Sequence, residues 1–492
     1  MGKILSIIFL SMIVIFCFQN CNGIVKLQPL EAAKISTGQP VATGSPDPES
    51  DDEDDPTSRV LPAVQMKALS VANLELPAEL ATAQLQKAPE GVALQNGRLI
   101  WWPRSAQAGT HSIELKVAEK IWTLSLLVEP LEGQDQMAGP PKGFSDEDVG
   151  YIFIHGKSEM DLCNGGLARA YWAGGDAIIA PIAALRTVTC YDGRNDVATE
   201  AAKITQQILA APCGKLNRCI IVTHSMGGLM IEHILTHTRA AAASDPPEYR
   251  KHYDSNVAYS KVKDRIAFVI SLASAAGGSK VADMVENPTT YSLDQSSMGA
   301  ISRIFGARSG STNNLVPKFA VNVAAPMTAN PGVPIYLVAG YSRQLLDIGG
   351  LVGGPSDWLG ITDPDKRVFN ADVSYGYLDY MTGFSSRSDG VVSFRSSCGI
   401  ASDRMDDGPG WDKELSLQFN YCYSATKKPN HFVWFAINLN HSLIQINTSK
   451  CTNSDNPCQI YRPDPVRKTM VRDTALDQKS SVEIIRQHLR KL

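Results

Sequence analysis

A serine stands where a predicted strand meets a predicted helix, in the segment CIIVTHSMGGL at 219–229. The apolar run up to Thr223 predicts a buried strand, and the apolar spacing beyond Gly228 predicts a helix. A sharp turn between them would lift the hydroxyl of Ser225 clear of a sheet, as in the Gly-x-Ser-x-Gly nucleophile pattern. Gly227 keeps the second glycine of that pattern, whereas Thr223 replaces the first. We therefore expect Ser225 to be a nucleophile on a weakened form of this turn.

Further segments resemble the α/β-hydrolase family, nearest to its bacterial lipases and esterases. VISLASAAGGSKVADMV at 269–285 is similar to the lipase segment after the next strand, without its Pro-His pair, and Asp283 is expected to be structural. SRSDGVVSFRSSCG at 386–399 is similar to the segment that presents the catalytic acid. The resemblance extends over about residues 148–460. It implies ester hydrolysis through an acyl-enzyme, with an ester or a lipid as substrate.

The resemblance also indicates the acid and the base. Asp389 is the expected acid, although an aspartate before glycine is also a common turn residue. In the chain order serine, acid, histidine, the base follows Asp389. His441 lies just beyond an apolar run that predicts a last strand, which suits a base on a loop, while His431 at the entrance of that run is the rival. His488 belongs to a charged C-terminal segment and is expected to face solvent.

A strand that ends in His155 and Gly156, in YIFIHGKS, resembles the place where this family carries a second oxyanion donor. The expected oxyanion hole combines the backbone N–H of Met226 with that of Lys157 or of Gly156. His155 is expected to brace the loop without transferring a proton. Because the residues after the histidine lack the calcium-binding aspartate of some lipases, we expect no metal and no other cofactor.

The elements that would position these residues follow from the hydrophobic pattern. Short apolar runs alternate with longer segments of mixed polarity, and the runs lie at 151–154, 187–191, 219–223, 266–272 and 334–338. This pattern predicts an α/β fold, with a doubly wound, mostly parallel sheet and helices on both of its faces. We assign this domain to residues 148–492. The insertion at 284–333, with MGAISRIFG at 298–306, is expected to be either a lid or a plain surface loop.

A small all-β module is expected before it, at 61–130. Asn96-Gly97 predicts a hairpin, and alternating apolar residues from Ile113 onward predict strands of a β-sandwich. The segment resembles the Ig-like, cadherin-like repeats of bacterial surface proteins, a resemblance that rests on Gly91, Asn96 to Leu99, Trp102-Pro103 and Gln107 to Thr110. Such modules space or bind. Linkers are expected at 22–60 and 131–147.

The N-terminus predicts export. Lys3 and the apolar stretch from Ile4 to Phe18 form a signal peptide over 1–21, because the stretch is shorter than the ~20 residues that span a membrane. FQNC resembles a lipobox, so Cys21 is expected to carry a lipid that anchors the protein at a membrane surface. Cleavage near Gly23 and a retained membrane anchor are the alternatives. The expected location is the bacterial cell envelope, at the outer membrane or the surface, or otherwise the medium.

Eight cysteines remain beyond the signal peptide, and an even number in an exported chain predicts disulfides. Pairing between neighbours is expected, as in Cys213 with Cys219 and Cys451 with Cys458. A zinc site is disfavoured because the chain has no Cys-x-x-Cys spacing.

Charge excludes a nucleic-acid partner. The formal net charge is −4, and residues 47–55, DPESDDEDD, carry seven acids and no base, so the rest of the chain is close to neutral. The acidic run is expected to be a disordered tether, with a calcium-binding tract as the alternative.

The sequence therefore predicts an exported serine hydrolase of the lipase or esterase type. A surface binding or adhesion protein with an inactive hydrolase domain is the alternative from another class. An acyltransferase and a peptidase remain open as variants on the same fold.

Overall fold

The computed structural model describes residues 58–68, 72–95, 97–103, 107–130, 139–142, 144–253, 258–291, 298, 301, 307–341, 388–399, 428, 430–452, 458–464 and 469–490. The predictions for the signal peptide, Cys21 and the acidic run lie outside these residues. Within them, no helix is both long and apolar enough to cross a membrane.

The main domain is built on one sheet of eight described strands, in the order β15-β14-β13-β12-β11-β10-β8-β9. Neighbouring strands from β9 to β13 run parallel, whereas β14 and β15 add an antiparallel edge. The strands are β8 (Gly150–Ile154), β9 (Arg186–Val188), β10 (Cys219–His224), β11 (Ile266–Leu272), β12 (Ile335–Gly340), β13 (His431–Ile437), β14 (Ile460–Asp464) and β15 (Thr469–Arg472).

Helices cover both faces of this sheet. The described α-helices are α1 (Leu167–Tyr171), α2 (Gly175–Ile179), α3 (Val197–Ala210), α4 (Met226–Thr236), α5 (Tyr259–Arg265), α6 (Lys280–Glu286), α7 (Gly310–Asn314), α8 (Pro317–Phe319), α9 (Phe394–Ser397) and α10 (Ser481–Arg490). Short 3₁₀ or π helices lie at Ala78–Leu80, Ala183–Leu185, Pro247–His252, Ala320–Ala324 and Ser449–Thr452.

Successive residues of each central strand enter opposite cores, as the pleat requires. In β10, Ile221 packs in a core with residues of α3, α4, α5 and α6. Its neighbours Ile220 and Val222 pack in a second core with residues of α2 and α10. A strand buried on both faces reads as a continuous apolar run, and for this reason the sequence predicted these strands well. The predicted α/β architecture, with a mostly parallel sheet, is confirmed.

Two small sheets precede this domain and enclose a core of their own. One sheet has the order β1-β7-β6-β3 and the other β2-β5-β4. Their strands are β1 (Ser58–Lys67), β2 (Ala72–Glu75), β3 (Gln84–Lys87), β4 (Ala93–Gln95), β5 (Arg98–Trp101), β6 (Gly109–Val117) and β7 (Lys120–Glu129). Leu99 and Trp101 of one sheet share a core with Ile113 and Leu124 of the other. The strands on either side of the predicted turn, β4 and β5, pair antiparallel as a hairpin requires, with Gln95 opposite Arg98. The relation of this module to Ig-like repeats stays a prediction.

The second half of the predicted linker 131–147 packs against the main sheet. Phe144 is buried, and its ring centroid lies 4.2 Å from that of Trp102, which follows β5. The prediction that His488 faces solvent is wrong. Its ring lies against Trp434, and its Nε2 is 2.6 Å from the carbonyl oxygen of Pro140 in this same segment. These contacts join the start of the domain to its last helix.

Disulfides are present, and both predicted neighbour pairs are confirmed: Cys213 with Cys219 and Cys451 with Cys458. A further bridge joins Cys163 to Cys190. This bridge ties the loop after β8 to the chain just beyond β9, and Leu162 donates a backbone hydrogen bond to Tyr191 next to it.

Part of the predicted lid at 284–333 is built into the fold. Leu315, Ala320 and Ala324 are buried in the core that contains α4. The proposed amphipathic helix at 298–306 lies outside the described residues, apart from Met298 and Ile301. A lid over the site therefore stays a prediction.

Candidate active site

Ser225 occupies a strained turn between β10 and α4. Its φ of 55° and ψ of −125° are unusual for a residue with a side chain, and only the packing around it can hold it there. Two glycines allow this packing. A Cβ on Gly227 would lie 2.4 Å from the carbonyl oxygen of Ile154, and one on Gly228 would lie 2.3 Å from Ser274 Oγ. The helix therefore passes directly over the end of β8.

Thr223, which replaces the usual first glycine, is accommodated by a partner on the next strand. It lies opposite Ser271 in the register of β10 and β11, and the two hydroxyl oxygens are 2.7 Å apart. Both side chains are buried. The threonine therefore satisfies its hydroxyl without disturbing the turn at Ser225.

The predicted base lies against this serine. His441 follows β13, and its Nε2 is 2.8 Å from Ser225 Oγ. Its other ring nitrogen, Nδ1, is 2.7 Å from Asp389 Oδ2. A carboxylate can only accept a hydrogen bond, so this nitrogen carries the proton and Nε2 is free to accept one. The three residues are 5%, 7% and 0% exposed in the order Ser225, His441, Asp389, so solvent reaches the first two sparingly.

Backbone groups fix the orientation of the Asp389 carboxylate. Its Oδ1 accepts hydrogen bonds from the backbone N–H groups of Val391 and Val392 at 3.0 and 2.8 Å. The residue lies beside the end of β12, where a Cβ on Gly340 would approach Asp389 Cβ to 2.7 Å. One carboxylate oxygen is thus occupied by the loop, which leaves the other for His441.

The rival base, His431, lies at the opposite end of β13 and contacts a different group. Its Nε2 is 3.1 Å from Glu232 Oε1. Lys428 Nζ binds the other oxygen of the same carboxylate at 2.5 Å, and the side chains of both partners are buried. Burial acts to raise the pKa of Glu232, but Lys428 and the contact with His431 outweigh it and hold this pKa at about 2. His431 therefore belongs to a buried charge cluster that ties α4 to β13.

Two of the candidate oxyanion donors, those of Met226 and Gly156, belong to residues directly beside Ser225. Met226 is the first residue of α4, and N–H groups in the first turn of a helix have no partner within that helix. Gly156 packs closely against the serine, since a Cβ there would lie 2.7 Å from Ser225 Cβ. Lys157 follows it in the chain, and its side chain forms an ion pair with Glu159.

His155 supports the loop that carries Gly156. Its ring is stacked on that of Tyr191 at 3.9 Å, and its Nε2 accepts the backbone N–H of Tyr191. The hydroxyl of Tyr191 donates in turn to the carbonyl oxygen of His155. Burial lowers the pKa of His155 to about 4, so the ring is neutral near pH 7.

Sequence reasoning missed two polar residues at the site. His224, the residue before the serine, is buried, and its Nε2 lies 2.8 Å from the carbonyl oxygen of His441. Its Nδ1 lies 2.5 Å from the hydroxyl oxygen of Tyr171 at the end of α1. The position of His224 beside the nucleophile was a usable signal, whereas nothing in the sequence pointed to Tyr171.

Within the described residues, no group of three or more His, Cys, Asp or Glu side chains is placed to hold a metal ion. Asp283, in the segment that resembles lipases, is hydrogen-bonded to Asn287 and Tyr291.

Comparisons with known proteins return distant likenesses only. No protein-family model matches the chain. No curated protein matches it either. Among solved structures, it is similar to the mature lipase BlEst2 of Bacillus licheniformis, with 13% identity, a TM-score of 0.33, and coverage of 63% of this chain and 91% of that one.

Two further lipases give comparable values. For lipase 1 of Pelosinus fermentans the identity is 12% and the TM-score 0.36, with coverage of 61% of this chain and 94% of that one. For the lipase of Staphylococcus hyicus the identity is 14% and the TM-score 0.35, with coverage of 62% and 91%. With identities and TM-scores this low, the case for a function comes from the geometry of the chain's own residues.

Proposed function

We propose that this chain is a serine hydrolase that cleaves carboxylic esters through an acyl-enzyme, in the manner of lipases and esterases. The observation that carries the proposal is the continuous hydrogen-bonded series from Ser225 Oγ to His441 and from His441 to Asp389, at 2.8 and 2.7 Å. A nucleophile, a base and a group that orients the base are the three parts that such catalysis needs.

In the proposed reaction, His441 Nε2 takes the proton of Ser225 as Oγ attacks the ester carbonyl carbon. The carbonyl oxygen becomes an oxyanion, and the backbone N–H groups of Met226 and of Gly156 or Lys157 stabilise its charge. Collapse of this intermediate breaks the bond to the alcohol, which leaves with the proton from His441. Water then attacks the acyl group with His441 again as base, and the acid is released.

Asp389 has an orienting role in this scheme. Because its carboxylate accepts the Nδ1 proton of His441, the ring is held in the one tautomer that presents a lone pair to Ser225. The charge of the carboxylate also favours the imidazolium that forms during attack. Removal of such a group costs about four powers of ten in turnover in serine proteases.

The setting of this activity is the second part of the proposal. Disulfides among the described residues suit an oxidising compartment outside the cytoplasm. We propose that the protein acts in the bacterial cell envelope or outside it, on an ester or lipid substrate. Anchoring at a membrane surface through Cys21 and a separate binding role for the module at 61–130 are part of the same proposal.

The test is labelling of the purified protein with a fluorophosphonate, which reacts only with an activated serine. Wild-type protein is expected to be labelled at one site, and the Ser225→Ala variant to remain unlabelled. Hydrolysis of p-nitrophenyl esters of increasing acyl length would then distinguish an esterase from a lipase. Folded wild-type protein that stays unlabelled, with and without detergent, would leave a binding protein as the better account.

A further inference from the structure

A short series of hydrogen bonds runs from the hydroxyl of Tyr171 through the ring of His224 to the backbone of His441. The Nε2 of His224 lies 2.8 Å from the carbonyl oxygen of His441, and its Nδ1 lies 2.5 Å from the hydroxyl oxygen of Tyr171. The rings of His224 and His441 are 4.7 Å apart at their centroids. His224 is 1% exposed, so water cannot replace these contacts freely.

The direction of each hydrogen bond follows from the groups involved. A carbonyl oxygen only accepts, so Nε2 of His224 must carry the proton that it donates to His441. In a neutral ring Nδ1 is then an acceptor, and the hydroxyl of Tyr171 is the donor to it. Burial and the neighbouring His441 hold the pKa of His224 well below its usual value, which favours this neutral ring.

These contacts complete the restraint of His441. Its ring nitrogens lie against Asp389 and Ser225, and its backbone N–H donates to the carbonyl oxygen of Asp389 at 3.0 Å. Its backbone carbonyl is the remaining polar group of the residue, and His224 is the donor to it. A histidine on a loop depends on such bonds, because no strand or helix ladder fixes its position.

We propose that His224 and Tyr171 are positioning residues for His441. His224 fixes the backbone carbonyl of the base, and Tyr171 fixes the tautomer of His224 that can do so. This inference rests on the proposed function, because it assigns the two residues a role in the same reaction. Misplacement of a reacting group by about 1 Å can cost on the order of 100-fold in rate, which sets the scale of the expected effect.

Tyr171 also lies close to Gly156. A Cβ on Gly156 would lie 2.4 Å from the hydroxyl oxygen of Tyr171 and 2.7 Å from Ser225 Cβ. The hydroxyl is therefore packed against the backbone that carries a candidate oxyanion donor. The side chain of Tyr171 thus contacts both His224, which binds the base, and Gly156, which packs against the nucleophile.

The test compares three variants in the full chain: His224→Leu, His224→Gln and Tyr171→Phe. Leucine removes the donor to His441, whereas the side-chain amide of glutamine can replace Nε2 as a donor. We expect kcat for a p-nitrophenyl ester to fall about 100-fold in His224→Leu, with KM within about twofold. His224→Gln is expected to recover to within about 10-fold of wild type, and Tyr171→Phe to lose about 3- to 10-fold, the worth of one hydrogen bond.

A buried histidine at the far end of α4 serves as the control. His237, the residue just after α4, is 3% exposed, and the helix between them separates it from Ser225 by about 18 Å. His237→Gln is expected to lower the midpoint of thermal unfolding while leaving kcat within about twofold of wild type, since it touches neither the base nor the nucleophile.

The outcomes separate this inference from the proposed function. Wild-type protein that fluorophosphonate fails to label would overturn both. Labelled wild type with unchanged kcat in His224→Leu, or equal losses in His224→Leu and His224→Gln, would overturn the positioning role alone. If His224→Leu does not fold, the Tyr171→Phe variant tests the proposal instead. An unchanged kcat in that variant would contradict the proposed series of hydrogen bonds from Tyr171 through His224 to His441.

Discussion

Asp389 and His441 are joined twice, once through their side chains and once through their backbones. The N–H of His441 donates to the carbonyl oxygen of Asp389 at 3.0 Å, while Nδ1 and Oδ2 are 2.7 Å apart. The loop that carries the acid and the loop that carries the base are therefore locked together. A change in the carboxylate alone should leave this backbone bond in place, so its effect on chemistry can be separated from its effect on folding.

We predict that Asp389→Asn lowers kcat by about 10³- to 10⁴-fold with little change in KM. The N–H groups of Val391 and Val392 already occupy the position of Oδ1, so the amide oxygen of asparagine will turn toward them. The amide NH₂ then faces His441 Nδ1, which must become the acceptor, and Nε2 carries the proton instead. Such a ring cannot take a proton from Ser225.

The control for this change is Asp283→Asn, which alters an aspartate bound to Asn287 and Tyr291 instead of to the histidine. It is expected to keep kcat within a few-fold of wild type. Steady-state rates with a p-nitrophenyl ester measure both variants. Equal activity of Asp389→Asn and wild type would remove Asp389 from the proposed triad.

The two candidate histidines predict opposite phenotypes. His441→Gln should abolish fluorophosphonate labelling while the fold persists, because it removes the base next to Ser225. His431→Gln should keep labelling within a few-fold of wild type and lower stability by about 1–3 kcal/mol, since Glu232 loses a partner in a buried site. Urea unfolding and the labelling rate, measured on both variants, check the pair. Loss of labelling in His431→Gln alone would reverse the assignment.

Local sequence pattern was sufficient for the parts of the site that lie on sheet strands. The apolar runs of β8, β10 and β11 are continuous because both faces are buried, so their ends, and with them Ser225 and Gly156, could be located in advance. The resemblance to lipases supplied Asp389. The sequence ranked His441 above His431, and the structure brings the former to Ser225 and the latter to Glu232.

Contacts between distant segments could not be predicted in this way. Lys428 and Glu232 are 196 residues apart in the chain, and each alone reads as an exposed charge. Tyr171 lies in a short helix whose direction depends on the loop after β8. Its contact with His224 results from the three-dimensional packing of distant segments. The local sequence around Tyr171 shows no periodic pattern from which this contact could be predicted.

Thr223 provides a third prediction, on stability. Thr223→Val keeps the shape of the side chain but leaves the buried hydroxyl of Ser271 without its partner at 2.7 Å. We expect a loss of about 1–2 kcal/mol in the free energy of unfolding, with the labelling rate of Ser225 within about threefold of wild type. The double variant Thr223→Val/Ser271→Ala should lose less than the sum of the two single changes, because it leaves no buried hydroxyl unpaired. Additive losses in this cycle would show that the two hydroxyls do not interact.

Buried histidines predict that acid destabilises the fold. Burial lowers the pKa of His155 and of His252 from 6.5 to about 4, so the unfolded chain binds protons in this interval that the native chain does not. Their contribution to stability is therefore complete above pH 6.5 and is lost as the pH falls toward 4, by on the order of 3 kcal/mol for each residue. His233, close to His252, adds to the same trend because its pKa is also far below its usual value. Urea-unfolding midpoints between pH 7.5 and 4.5 measure the effect, and His252→Phe should flatten the profile. A profile that is level across this range would contradict the prediction.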